Sequence, residues 1–275
     1  MNWIVENLQN AFETWNQKLV EIWELIEQTP QLFKGGDVWT VITDINGGLK
    51  AIGYGLLVLF FAIGIFNSTL NFRDFKRPEL ALRHFIRFVA AKTAVTYCMD
   101  IMTTVFTICG GVVSSMAAKV GGMTAAAVTL PDEVVTAIEN TGFLASIPLW
   151  IVSLLGSLFI TALSFIMIMT VYSRFFRLYM YTALAPLPLA SFAGESTAGH
   201  GKAFIKNYIG VCMEGAVIVL ACLIFSAFAG GTPTITGETA FVQVFGYIAE
   251  TVFNLLVLVG LVKASDRLAK EILGL

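Results

Sequence analysis

Three carboxylates, Asp100, Glu214 and Glu250, stand inside long apolar runs of a 275-residue chain. Asp100 belongs to a series, Thr93, Thr96, Asp100, Thr103, Thr107, Gly110 and Ser114, whose three- and four-residue steps place it on one helix face. Gln243, Tyr247, Glu250 and Asn254 repeat the pattern, and Asn207, Gly210 and Glu214 begin it again. Counted from the nearer end of its apolar run at 1.5 Å per residue, each carboxylate is expected about 14–18 Å deep in a bilayer. A lone carboxylate there costs roughly 2.5–3.5 kcal/mol, so all three should face protein or water. Two chemistries fit. One is a hydrated path or a proton or ion relay along Lys92, Thr96, Asp100, Thr103, Thr107, Glu214, Glu250 and Asn254. The other is structural, with the same groups hydrogen-bonding neighbouring helices. Lys92 would snorkel to the inner surface or pair with a carboxylate of another helix. Lys92 precedes Cys98-Met99-Asp100 as Lys206 precedes Cys212-Met213-Glu214, a match that leaves helix duplication and coincidence both open.

Other chemistries lack their residues. Gly199-His200-Gly201-Lys202 resembles a phosphate loop only superficially, because Ser196 stands where the first glycine belongs and Ala203 follows the lysine. The two histidines, His84 and His200, lie in basic flanks and read as ordinary solvated side chains. Cys98, Cys109, Cys212 and Cys222 lie in apolar stretches without metal or redox spacing and read as small buried hydrophobes. No catalytic residue, metal site or cofactor is expected, and enzymatic function is not expected.

The elements that position these groups follow from composition. Hydrophobic residues make up 57% of the chain and charged residues only 13%, with a mean hydropathy of +0.78, which excludes an ordinary water-soluble enzyme. The fold class is all-α: a polytopic membrane protein with about five spans, at 51–70, 88–116, 144–172, 203–229 and 241–262. The apolar piece 178–193 contains Pro186 and Pro188 and is short for a crossing, so a kinked or re-entrant element is expected. This divides the chain into an outer segment 1–47, a transmembrane domain 48–262 and a cytoplasmic tail 263–275. The first residues lack the basic region and short apolar core of a cleavable signal, so the first span should direct insertion.

Lysine and arginine set the expected orientation. Five spans with the N-terminus outside put twelve cations on inner flanks (Arg73, Lys76, Arg77, Arg83, Arg87, Arg174, Arg177, Lys202, Lys206, Lys263, Arg267, Lys270) against four outside. A sixth crossing at 178–193 would leave seven inside against nine outside. With acids counted, the inner flanks sum to +7, the outer segments to −7 and the membrane interior to −2, so a net charge of −2 hides a polarised molecule.

Span three carries Ser153, Ser157 and Thr161, an edge of small residues for close packing. The outer segment opens with a helical pattern over Asn2–Gln28, with Ile4, Leu8, Ala11, Trp15, Leu19, Ile22 and Ile26 on one face and Pro30 ending it. Its polar face is acidic, unlike an in-plane membrane helix, so Trp3, Leu8, Trp15, Leu19, Ile22 and Trp23 are expected to assemble with copies or partner proteins, with simple interfacial lying as the alternative that the tryptophans also suit. Gly35-Gly36 and Gly47-Gly48 would bracket a flexible connection to the first span. The outer loops 120–143, with an amphipathic stretch at 132–139, and 230–240, a polar turn, carry no chemical motif.

An acidic outer helix, about five spans, and Arg174-Phe-Phe-Arg177-Leu-Tyr-Met-Tyr leading into Ala185-Pro186-Leu187-Pro188-Leu189-Ala190 resemble the TrbL-like (VirB-six-like) channel subunit of type IV secretion systems. The resemblance covers most of the chain, and the short length is similar to versions carried on conjugative elements of Gram-positive bacteria. It implies an oligomer in the cytoplasmic (inner) membrane that contacts a transferred DNA–protein complex beside other secretion subunits and separate ATPases. Under that implication Arg174, Arg177, Lys202 and Lys206 would form a cytoplasmic basic face toward the substrate, while anionic lipid would explain the same charges. An ion-coupled solute transporter using Asp100, Glu214 and Glu250, or a purely structural scaffold, remain alternatives.

Overall fold

A computed structural model describes residues 2–69, 78–119, 128–228 and 239–275. All regular structure among the described residues is helical, in the order α1 (Asn2–Glu27), α2 (Asp37–Thr69), α3 (Pro78–Thr96), α4 (Cys98–Lys119), α5 (Asp132–Glu139), α6 (Phe143–Leu184), α7 (Pro186–Ala190), α8 (Ala198–Phe228) and α9 (Ala240–Ile272). Short 3₁₀ turns precede α2 and follow α7. Five stretches are long and apolar enough to cross a membrane: Phe33–Asn67, Cys98–Ala118, Ser146–Leu184, Ala198–Ala227 and Ala240–Ile272. The all-helical, five-span fold read from the sequence is therefore found. Of the expected inner flank, Arg73, Lys76 and Arg77 lie outside the described residues, as do 120–127 and most of the polar turn 230–240.

Several boundaries differ from those expected. The connection over 35–48 is helical from Asp37 onward, with Thr43 Oγ1 donating back to the Trp39 carbonyl at 2.9 Å. Only the turn before it is tight: Lys34, Gly35 and Gly36 all have positive φ, a region glycine enters without a Cβ clash. The expected second span is interrupted for one residue at Tyr97, although helical hydrogen bonds continue from Tyr97 N to Thr93 O and from Ile101 N to Tyr97 O. Helix α6 runs 42 residues to Leu184, about twice what a bilayer core needs, and takes in the first part of the expected kinked piece. Pro186 and Pro188 then cannot donate to an α6 ladder, so the chain breaks at Ala185 and resumes as the five-residue α7.

The chain forms two compact units. One comprises Met1–Glu27, Val113–Ser173 and Gly215–Ser265; the other comprises Gln28–Val112, Arg174–Glu214 and Asp266–Leu275.

In the first unit the apolar face of α1 is covered by the chain itself. Ile4, Leu8, Ala11, Trp15, Leu19, Ile22, Trp23 and Ile26 are all buried, and Trp15 is wholly enclosed. Trp3 meets Trp150 of α6 edge-on at 5.6 Å, Phe12 meets Tyr247 of α9 at 6.4 Å, and Tyr172 Oη donates to Glu21 at 2.9 Å. Asn16 exchanges two 3.0 Å hydrogen bonds with the backbone of Val128. The small-residue edge of α6 is used for contact: Ser153, Gly156 and Ser157 are buried, and a Cβ on Gly156 would stand 2.5 Å from Ile248 Cγ2 of α9.

The second unit packs α2 and α3 around α7 and the turn after it. Ala91, Val95, Cys98, Met102, Phe106 and Cys109 form a buried stripe at three- and four-residue steps, against Leu57, Leu178, Leu189, Tyr208 and Val211. Gly53 of α2 lets Pro186 approach, since a Cβ there would be 3.0 Å from the Pro186 carbonyl oxygen.

Candidate functional site

The clearest polar constellation lies in the second unit and joins three helices. Arg177 of α6 places Nη2 2.7 Å from both carboxylate oxygens of Glu214 on α8. Its Nη1 stands 2.6 Å from Asp266 of α9, which also takes Lys270 Nζ at 3.0 Å. The Glu214 side chain is 1% exposed and that of Arg177 26%, so this is a largely enclosed ion pair held in place by hydrogen bonds. One turn before Arg177, Arg174 is 2% exposed and donates to the Val211 and Cys212 carbonyls at 3.4 and 3.3 Å, with the rings of Phe106 and Phe175 at 5.7 and 5.9 Å. The cluster can neutralise buried charge and fasten α6, α8 and the end of α9.

Two expectations are corrected here. Glu214, expected as a lone carboxylate in an apolar run, is paired with Arg177, which also holds Asp266, both residues assigned to inner flanks. The reason is that α6 and α9 continue past the ends of their apolar runs, carrying their charged turns alongside α8. Nor does Arg174 belong to an exposed basic face, because its guanidinium is enclosed within the unit. Arg177 is committed to two carboxylates, which leaves Lys202 and Lys206 as the exposed members of that proposed face.

The polar line of α3 and α4 lies opposite their buried stripe. Lys92, Thr93, Asp100 and Thr107 are exposed, and Thr96 and Thr103 are half-buried. The hydroxyls of Thr93, Thr96, Thr103 and Thr107 donate to carbonyls one turn back at 2.8–3.1 Å, so the helix itself satisfies them. Thr96 Oγ1 also lies 3.0 Å from Tyr54 Oη of α2. No hydrogen-bond or ion-pair partner for the Asp100 carboxylate is found among the described residues. In the first unit, Glu250 is exposed and Asn254 half-buried on α9.

The expected assembly face of α1 is likewise corrected: its apolar residues are spent inside the protomer, and only Trp3 among its tryptophans is exposed. What α1 presents outward is acidic, with Glu6, Glu13, Glu24 and Glu27 exposed.

Two features escaped the sequence. Asn46, read as part of a linker, is wholly buried; its Nδ2 donates to the Thr182 carbonyl at 2.8 Å and its Oδ1 accepts from the Cys98 thiol at 3.2 Å. The Arg177–Glu214–Asp266 cluster was also missed. The signal available was the Asp266/Lys270 spacing on one helix face and the isolated opposite charges on two other helices. Outside the spans, Arg87 of α3 binds Glu195 at 2.7 Å, and its guanidinium holds the Glu195 carboxyl below the ordinary carboxylate range. Among the described residues no group of three or more His, Cys, Asp or Glu is arranged to hold a metal ion.

No curated protein and no solved structure matches the chain. A family model described as TrbL/VirB6 plasmid conjugal transfer like protein matches residues 15–186, which carry α2 to α6 and the second half of α1. With more than half its length matched and five candidate membrane spans, the chain belongs to the TrbL/VirB6 plasmid conjugal transfer-like family, a membrane component of conjugation.

Proposed function

We propose that this chain is a platform subunit of the channel through which a conjugative type IV secretion system moves its DNA–protein substrate across the cytoplasmic membrane. The observation that carries this reading is Asp100, exposed on a polar line of an otherwise apolar helix and without a partner among the described residues. Turned to lipid, such a carboxylate costs roughly 2.5–3.5 kcal/mol. A ring of copies removes that cost by turning Lys92, Thr96, Asp100, Thr103 and Thr107 toward a neighbour or a hydrated path. Glu250 and Asn254 of α9 meet the same requirement.

The N-terminus lies outside and the C-terminus inside, so Lys202 and Lys206 project on the cytoplasmic side and attract the polyanionic substrate. Energy comes from separate ATPases of the same machinery, and the exposed acidic face of α1 meets other secretion subunits. An ion-coupled solute transporter is less well supported, because Arg177 already engages both oxygens of Glu214.

A donor-to-recipient transfer assay tests the reading. Asp100→Lys is expected to lower transfer at least tenfold while the protein still accumulates in the membrane, and Asp100→Asn separates charge from hydrogen bonding. Lys202→Glu combined with Lys206→Glu should reduce crosslinking of the chain to transferring DNA. Full transfer with Asp100→Lys would remove the path, and unchanged crosslinking would return both lysines to lipid anchoring.

A further inference from the structure

Cysteines far apart in the sequence meet in the second unit. Tyr208 of α8 donates its hydroxyl to the Met102 carbonyl of α4 at 3.0 Å, which fixes the register of the two helices. From that bond, Cys212 lies one turn further along α8 and Cys109 two turns further along the buried face of α4. A tyrosine side chain in a helix leans back toward the N-terminus, so this offset brings the two cysteines level.

Arg174 marks the same place from α6. Its Nη2 donates to the Cys212 carbonyl at 3.3 Å, and its guanidinium lies 5.7 Å from the ring of Phe106, one turn before Cys109. Cys109 and Cys212 are neighbours within one buried core, at 6% and 1% exposure. Cys98 is engaged elsewhere, with Asn46.

We propose that Cys109 and Cys212 form an oxidisable dithiol that closes to a disulfide joining α4 to α8. Both S–H bonds break, one S–S bond forms, and two electrons and two protons pass to a two-electron acceptor. Burial within apolar helices selects a small or lipid-soluble acceptor of the quinone class over a charged aqueous one. A thiolate is the attacking species in such a step, and the Arg174 guanidinium, against the Cys212 carbonyl and the Phe106 ring, supplies positive charge nearby. Its Nη1 has no hydrogen-bond partner among the described residues. The thiols are reduced in the structure, so closure is a change of state that pins the helices fastened nearby by Arg177 and Glu214.

The full-length protein in detergent micelles, treated with duroquinone, quenched in acid, denatured and labelled with a maleimide polymer, tests the pair. Four labels are expected before oxidation and two after, with four restored by dithiothreitol. Digestion of oxidised wild type should yield one linked peptide pair carrying Cys109 and Cys212. The Cys98→Ser/Cys222→Ser variant should lose both of its labels, and Cys109→Ser should keep all three. Four labels surviving oxidation of the wild type, or linkage of any other pair, would overturn the proposal. Because the wild-type peptide map needs no substitution, a variant that fails to fold leaves the test intact.

Discussion

Glu214 is the residue whose meaning changes most between sequence and structure. In an uncharged run a lone glutamate reads as a mid-membrane group, because its partner Arg177 is 37 positions away on a helix whose continuation no local pattern announces. The structure gives it Arg177 on both oxygens, and this predicts an asymmetry. Arg177→Ala leaves a carboxylate enclosed without its cation and should cost about 3 kcal/mol, the low end for a broken buried pair because the arginine is partly exposed. Arg177→Met combined with Glu214→Leu removes both charges and should recover much of that loss, as read by thermal unfolding of the purified protein in detergent. Equal destabilisation by the single and double variants would show that packing rather than charge holds α6 to α8. Glu195 carries a second prediction. Because Arg87 lowers its folded pKa, its contribution is fully present above the ordinary glutamate value near about 4.3 and is lost as pH falls below it. The stability difference between wild type and Glu195→Gln should stay constant from pH 7 to 5 and shrink below about pH 4. It should be at most about 1 kcal/mol, since the Glu195 side chain is 60% exposed.

At the scale of elements, the short α7 and the turn after it are held against α2 by positions where a side chain has no room. A Cβ on Gly194 would stand 2.7 Å from the Phe60 carbonyl oxygen and 2.7 Å from Thr197 Oγ1, and a backbone atom cannot swing aside. Gly194→Ala should therefore cost about 1–3 kcal/mol and expose the 191–197 turn to proteolysis; an unchanged cleavage rate would show that the turn is not fixed by that approach. The helices themselves were legible because apolar runs, Pro30 and the 3.6-residue period of α1 are local signals. Their full extents were not. Charged turns such as Arg174–Arg177 and Asp266–Lys270 lower hydropathy without ending a helix, so α6 and α9 outrun the apolar stretches that revealed them. The same reasoning explains α1. Its period marked a buried face correctly, but a face needs only a neighbour, and the neighbours here are α5, α6 and α9 of the same chain. The spacing of the polar line of α3 and α4 is a local signal, while its outward direction follows from the opposing stripe of Ala91, Val95, Cys98, Met102 and Phe106.

For the whole molecule, the proposed orientation converts a charge count into a compartment. An odd number of crossings separates the exposed acids of α5 from the cations after α9, and the inner-flank sum of +7 against an outer sum of −7 sets the direction. The structure alters what that count means for function without altering the count. Arg177, Arg87, Arg267 and Lys270 each hold a carboxylate, so fewer cations reach a substrate than the total implies. In the proposed orientation Lys202 and Lys206, exposed near the start of α8, are the better measure of cytoplasmic attraction. The native thiols are all buried, which makes the orientation directly measurable. Asn140→Cys, exposed after α5, should react with a membrane-impermeant maleimide in intact cells, whereas Leu273→Cys, exposed after α9, should react only once the membrane is opened. Reaction of both in intact cells would require an even number of crossings, place Lys202 and Lys206 on an uncertain side, and remove the electrostatic basis for substrate contact there. Protection of both would put the acidic α5 in the cytoplasm, where its exposed carboxylates would repel a nucleic acid rather than meet outer partners.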